Sequence, residues 1–412
     1  MKDKTIVLPD KLAKLEKKFR MIDEKNSIAL ENDSEFVIVE EFSNVDGSVQ
    51  TGFTINESKN DEDKEEIVYA EEVFEENIDE DDDIYAKVNK DRLIQKRYHR
   101  SPYEIGEEID KAYSTHGYKA KIGLNLIASM NFSRLLYFPQ GGNVIEKAKE
   151  LFDTVSAGVF SAEKSEEEQT IKDLPSFIKA LEFAKNNLNK QVFVLVPNLK
   201  SKEVFEFLKP VYTYIDSPEA NTYVQSGGKS YIVSKNVFFV LTLQENEILS
   251  DISRRLLRYI SVVTGDIERC ERDAKPVNLI ISNEELAMSL RESLERRILI
   301  ESTWKKLDSL VDYINPTSGF VLQNKIVRRL ENYSSCLLTS PVEEIEALDR
   351  TLAYNFFNEA IITKNAAGYL GTSDIFNMMD SIFGAEQLPL SRKVIKDYLS
   401  LFDKKGNRLD AQ

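Results

Sequence analysis

Two short apolar runs constrain this chain most: Val192-Phe193-Val194-Leu195-Val196 and Val237-Phe238-Phe239-Val240-Leu241-Thr242. They read as parallel strands of an α/β sheet, because parallel strands need crossover connections and are buried on both faces. Around them the spacing predicts helices at about 103–115 and 121–131, a strand at 134–138, a Gly-containing turn and a helix at 144–155. Helix 174–187, the first run, helix 202–215, a polar hairpin and the second run follow. The expected class is therefore α/β, a three-layer parallel sheet. Ligands of such sheets sit beyond the carboxyl ends of the strands, so the residues after each strand matter most.

A length of 412 residues predicts two or three domains, and 42% hydrophobic content suffices for substantial cores. Cys270 and Cys336 form neither a disulfide framework nor a metal-ligand spacing, and only His99 and His116 are present to help them. No apolar stretch approaches the roughly 18 residues of a membrane helix, and the N-terminus lacks an apolar signal core. The expectation is a protein of the reducing cytoplasm, with no membrane contact. Zinc clusters, a Gly-x-Ser-x-Gly elbow, paired-histidine metal motifs and a dinucleotide fingerprint are all missing from the sequence.

The formal charge of −16 is concentrated in residues 57–83, where fifteen acidic residues meet only Lys59 and Lys64. Such a run reads as a solvated, self-repelling linker or as a docking arm for a basic partner. Ile67, Val68, Tyr69, Val73 and Phe74 interrupt it as candidate anchors. Either way this face opposes direct nucleic-acid binding. Ahead of it, Pro9 opens a helical pattern through Leu12, Leu15, Phe19 and Ile22, and two strand-like segments flank the turn signal Asp46-Gly47. Ser101-Pro102 caps the first helix of the main domain, which carries Ile105, Ile109 and Ala112.

The C-terminal third reads as helices at about 284–302, 304–313, 321–338, 342–362, 373–383 and 391–402, with breaks at Pro316-Thr317-Ser318-Gly319 and Ala366-Ala367-Gly368. Ile345, Leu348, Leu352, Phe356 and Ile361 form a stripe that reads as bundle core. The predicted organisation is a helix and hairpin module at 1–56, an acidic linker at 57–100 within a partly disordered N-terminal region, an α/β domain at 101–275 and a helical domain at 276–412.

Several segments in this order carry a family resemblance. They are Gln191 to Val196 with Pro197-Asn198, Ile232 to Thr242 with Leu243-Gln244, and Asp251-Ile252-Ser253-Arg254-Arg255-Leu256-Leu257-Arg258-Tyr259. Trp304-Lys305-Lys306-Leu307, Val327-Arg328-Arg329-Leu330 and Ala347-Leu348-Asp349-Arg350 continue the series. Together they resemble the AAA+ ATPases, particularly the McrB-like branch of bacterial restriction and defence systems, over roughly residues 103–402. The resemblance implies a P-loop-NTPase-like sheet with a helical lid, the first run as the Walker B strand and the second as sensor 1.

The chemistry of that family is largely missing from the matching positions. A phosphate cradle needs Gly-x-x-x-x-Gly-Lys-[Ser/Thr], whereas the turn here is Tyr137-Phe138-Pro139-Gln140-Gly141-Gly142-Asn143-Val144. Asn143 replaces the lysine and Val144 the magnesium-binding hydroxyl. Lys147, one helical turn on, reads as a surface lysine or as one reaching back to phosphate. Pro197-Asn198 supplies no carboxylate to orient magnesium or activate water. Gln244 is a candidate water-positioning residue or a polar strand end. The resemblance makes Arg254, Arg255 and Arg258 candidate arginine fingers donated in trans, against the plain reading of surface or ion-paired residues. It likewise makes Arg328 or Arg329 a candidate sensor-2 remnant, against a residue that snorkels over its helix.

The sequence therefore supports a catalytically inactive AAA+-like protein serving as a structural or regulatory subunit of an assembly with an active ATPase. The alternative is an unorthodox NTPase of a defence or nucleic-acid-processing complex. It would retain weak ATP and magnesium binding through Gly141, Gly142, Lys147, Gln244 and the arginines. No cofactor is expected on the first reading.

Overall fold

The two apolar runs lie side by side in parallel, Val237 beside Val192 through Leu241 beside Val196. None of their ten residues from Val192 to Val196 and Val237 to Leu241 is more than 1% exposed. Side chains alternate across a strand, and here each set enters a different core. Val192, Val194, Val196, Val237, Phe239 and Leu241 join one cluster, while Phe193, Leu195, Phe238 and Val240 join the other. A run apolar at every position is thus explained by a sheet covered on both sides.

The computed structural model describes residues 100–400 except 140, 166–168, 271–274, 297, 319–323 and 358–371; before residue 100 it describes three strands. The chain divides into two units, Met1–Asp91 and Arg92–Gln412. In the first unit, β1 (Ile38–Ser43) pairs antiparallel with β2 (Val49–Thr54), while Asp46-Gly47 between them lies outside the described residues. A third strand, β3 (Val68–Tyr69), pairs with β2, which gives two apolar residues of the acidic run a place in a sheet. The helical pattern expected after Pro9 lies outside the described residues.

In the second unit, β5 (Leu135–Tyr137), β6 (Gly158–Ser161), β7 (Val192–Leu199), β10 (Val237–Leu243) and β11 (Ile260–Val262) form one parallel sheet in the order β11-β5-β10-β7-β6. The helices α1 (Pro102–Thr115), α2 (Gly123–Phe132) and α3 (Val144–Val155) cover the face carrying Phe193 and Leu195. On the other face lie α4 (Pro175–Asn186), α5 (Val204–Leu208), α6 (Tyr212–Asp216) and α7 (Arg254–Leu257). The class is as expected: a three-layer α/β domain around a parallel sheet, followed by helices.

Those C-terminal helices are α8 (Asn283–Arg296), α9 (Glu301–Ser318), α10 (Asn324–Leu337), α11 (Glu344–Asn355), α12 (Thr372–Phe383) and α13 (Pro389–Leu399). Leu330, Tyr333, Leu348, Leu352, Met379 and Ile395 bury their inner faces at 1% exposure or less and extend the larger core. The predicted stripe is buried at Leu348, Leu352 and Phe356, with Ile345 packed against it; Ile361 lies outside the described residues. The break predicted to begin at Pro316 falls later, since α9 runs to Ser318.

Local capping follows the sequence. Ser101 Oγ accepts from Glu104 N–H while the Glu104 carboxylate accepts from Ser101 N–H, a complete capping box before Pro102. The helix expected at 202–215 is instead two short helices, α5 and α6, separated by a 3₁₀ turn at Lys209–Val211. Pro210 explains the division, because it has no N–H for the helical ladder.

In the second unit four short strands were not anticipated. β6 and β11 are edge strands of four and three residues. β4 (Tyr118–Lys121) and β12 (Asp266–Arg269) form a separate antiparallel pair across a long sequence separation, Lys121 opposite Asp266. The polar hairpin is present as β8 (Tyr223–Ser226) and β9 (Lys229–Ile232). Among the described residues no helix is long and apolar enough to cross a membrane.

Candidate functional site

The turn after β5 and the loop after β11 enclose a cavity of about 180 Å³ lined by Ile122, Phe138, Gly141, Val144, Lys147 and Thr264, among others. This is where the sheet order puts a ligand, beyond the carboxyl ends of adjacent strands. Pockets for drug-sized ligands span roughly 300–1,000 Å³, so this one falls short of a nucleoside triphosphate. Lys147 lines it; Gly142 and Asn143 do not.

The backbone of the turn is also unsuited to phosphate. Gly141 and Gly142 are exposed, neither has positive φ, and a Cβ at either would meet nothing within 4 Å. The left-handed residue is instead Asn143, at φ 57° and ψ 37°, a conformation its short polar side chain tolerates. Val144 N–H is already spent on Gly141 O at 3.1 Å. Glu146 places a carboxylate in the first turn of α3, where the helix end would otherwise attract an anion.

At the second expected position, β7 does not stop at Val196 but continues to Leu199 through a register shift against β10. Asn198 occupies it with φ 55°, and its N–H donates to the buried Thr242 hydroxyl at 3.2 Å. Its side chain is exposed. Gln244 lies just past β10, half-buried, with its N–H donating to Leu199 O at 3.0 Å. Pro197-Asn198 and Gln244 are therefore neighbours, as their strands require, and neither position supplies a carboxylate to hold magnesium.

Two carboxylates near these strand ends were not singled out from the sequence, and both are committed elsewhere. Glu203 pairs with Lys164 at 2.9 Å. Glu247 accepts from Ser201 N–H at 2.9 Å. Burial raises the Glu247 pKa, but the Ser201 hydrogen bonds and the charges of Lys200 and Lys202 outweigh it and hold the carboxyl below its ordinary value. A carboxylate so stabilised is a weak general base. Among the described residues no group of three or more His, Cys, Asp or Glu could hold a metal ion.

The arginines separate into distinct settings. Arg254 and Arg255 are exposed on α7, with the Arg255 guanidinium 5.4 Å from the Phe205 ring centroid. Arg258 is half-buried beside Tyr259. Of the three, Arg254 and Arg255 have the accessibility a residue donated to a neighbouring subunit needs. Arg328 and Arg329 are not brought to the carboxyl-end cavity. They line a second, larger cleft at the amino ends of the strands, alongside Arg134, which precedes β5, and Asn236, which precedes β10. Neither Arg134 nor Asn236 was singled out from the sequence, although Asn236 lies within the matching segment Ile232 to Thr242.

No protein-family model matches the sequence, and no curated protein matches it. Among solved structures, a candidate ATPase from Cytophaga hutchinsonii is similar at 12% identity and a TM-score of 0.37, over 72% of this chain and 90% of that one. A superposition that loose carries no argument about activity.

Proposed function

We propose that this chain is a non-hydrolysing AAA+-like subunit that works through contact with a protein partner, an active ATPase of the same general fold. One observation carries the reading: the cavity at the turn after β5 holds about 180 Å³ and presents Val144 where a magnesium-binding hydroxyl would be required. The bulged Pro197-Asn198 end of β7 supports it, because asparagine neither takes a proton from water nor replaces a charged magnesium partner. The fold then serves as a shaped surface, with Arg254 and Arg255 presented to a neighbour's nucleotide. The McrB-like resemblance makes a restriction or defence complex the natural setting.

Phosphate release from magnesium-ATP tests the loss of hydrolysis. The full chain is expected to show none above background. Turnover that disappears in Gln244→Ala would overturn the reading, since that residue would then be positioning the attacking water. In the assembled complex, Arg254→Ala is expected to lower the partner's ATP turnover while leaving this chain's thermal unfolding unchanged. Equal turnover in variant and parent removes Arg254 as a trans donor.

A further inference from the structure

We propose that the cleft at the amino ends of the strands binds a phosphorylated small molecule of nucleotide size, gripped by Arg134, Arg328 and Arg329. The cleft holds about 790 Å³, within the roughly 300–1,000 Å³ of ligand sites. It lies at the opposite end of the sheet from the degenerate phosphate turn, because Ser133 and Arg134 precede β5 while Ser234 to Asn236 precede β10.

Its charge is unbalanced. Five cations, Arg134, Lys235, Lys325, Arg328 and Arg329, line it with a single acidic residue, Glu219. Glu219 is taken by Lys235 at 2.6 Å, and Lys325 is taken by Asp216 at 3.0 Å. The three arginines form no salt bridge among the described residues, although Glu331 acts on Arg328 and Asp216 on Arg329 through space. Asp216 is already engaged: burial raises its pKa, yet hydrogen bonds from Tyr259, Lys325 and Ser217 outweigh that and hold it below the ordinary carboxylate value.

Arg329 is 8% exposed and, among the described residues, forms no salt bridge with a carboxylate. One of its nitrogens, Nη2, donates to Ile215 O at 3.2 Å and Asp216 O at 2.9 Å, and the guanidinium lies 5.0 Å from the Tyr259 ring centroid. The other, Nη1, is buried with no hydrogen-bond partner among the described residues, as is Arg134 Nε. Arg134 stacks at 4.2 Å on Phe238. Burying guanidinium nitrogens without acceptors is unfavourable. Burial, reinforced by the Arg134 charge, accordingly pushes the Arg329 pKa down against the opposing pull of Tyr259 and Asp216. Oxygens of a multiply charged anion would supply what the protein does not, and the planar guanidinium fork matches phosphate.

The remaining walls suit the rest of such a molecule. Leu286, Ala287 and Leu290 of α8 give an apolar side, while Asn221 and Asn332 carry amides that both donate and accept.

Isothermal titration of the full chain with inorganic tripolyphosphate and, separately, with ATP tests the assignment. Both titrations are run in EDTA, so that neither depends on a magnesium site or on hydrolysis. One saturable, salt-sensitive site is expected. Arg328→Glu, at an exposed position, is expected to weaken it at least about tenfold without changing the far-UV circular dichroism. Lys147→Glu, in the carboxyl-end cavity, is expected to leave it unchanged. Tighter binding of ATP than of tripolyphosphate assigns part of the affinity to the α8 wall; equal binding assigns it to the phosphates alone. Absence of saturable binding by either probe, or binding that survives Arg328→Glu, would overturn the proposal, as would equal weakening by Lys147→Glu.

Discussion

Gly123→Ala is expected to destabilise the second unit by about 3 kcal/mol, the upper end of what overpacking costs. The helices α1 and α2 meet backbone to backbone at Gly106 and Gly123. A Cβ on Gly123 would stand 2.0 Å from Gly106 O and 2.7 Å from its carbonyl carbon. Every one of its nearest atoms belongs to main chain, so no side chain can rotate away. The amino end of α2 is also pinned, since Asp110 Oδ1 accepts from Ile122 N–H at 2.9 Å and Gly123 N–H at 2.8 Å. Shifting α2 would break those bonds and disturb Leu126 and Ile127, both fully buried. Urea unfolding measures the loss. Gly142→Ala is the matched control: no atom lies within 4 Å of its added Cβ, and it should stay within about 0.5 kcal/mol of the parent. Near-parental stability of Gly123→Ala would show that the helices part without cost.

Asn236→Asp is the second large effect, at about 4 kcal/mol. Asn236 is fully buried, and its Nδ2 donates to three carbonyls: Ala184 at 3.2 Å, Asn187 at 2.9 Å and Lys190 at 2.9 Å. It thereby ties the end of α4 to the start of β10. Aspartate has the same shape but turns oxygens, and at neutral pH a charge, toward those carbonyl oxygens. The folded state would favour the protonated carboxyl, raising its pKa above the unfolded value. The variant's stability should therefore fall as pH rises through the ordinary carboxylate range, and the deficit should be smaller at about pH 4 than at about pH 7. Asn236→Ala, which removes the donors without adding charge, should cost less and show no such pH dependence. Denaturant unfolding at both pH values decides between them; a pH-independent deficit for Asn236→Asp would contradict the proposed contact.

The strands of the central sheet were legible where burial acts on every residue. Val192 to Val196 and Val237 to Leu241 have no polar position to blur their pattern, and both helix layers are implied by that uniformity. The Ser101 cap was legible for a related reason: its hydrogen bonds reach only three residues along the chain. By contrast β11 has only three residues, and β4 meets β12 through contacts that span most of the domain. Such pairings depend on loops closing far along the chain, and no local run announces them. The break at Pro210 was available from the missing N–H, although the apolar spacing on either side suggested one continuous helix.

The same division runs through the candidate sites. The turn from Tyr137 to Val144 and the Pro197-Asn198 strand end were readable because phosphate and magnesium chemistry demand particular residues at fixed spacing. Their substitution is visible without coordinates. The grouping of Arg328 and Arg329 was not. The sequence resemblance associates them with the carboxyl-end nucleotide position, whereas the packing of α10 brings them to Arg134 and Asn236 at the amino ends of the strands. By itself the sequence determined which positions are apolar, which cap, and which lack the groups for hydrolysis, since each of these is a property of a residue and its near neighbours. Only the tertiary structure decided which charges share a cleft, because electrostatics and burial act through space between groups that the chain holds far apart.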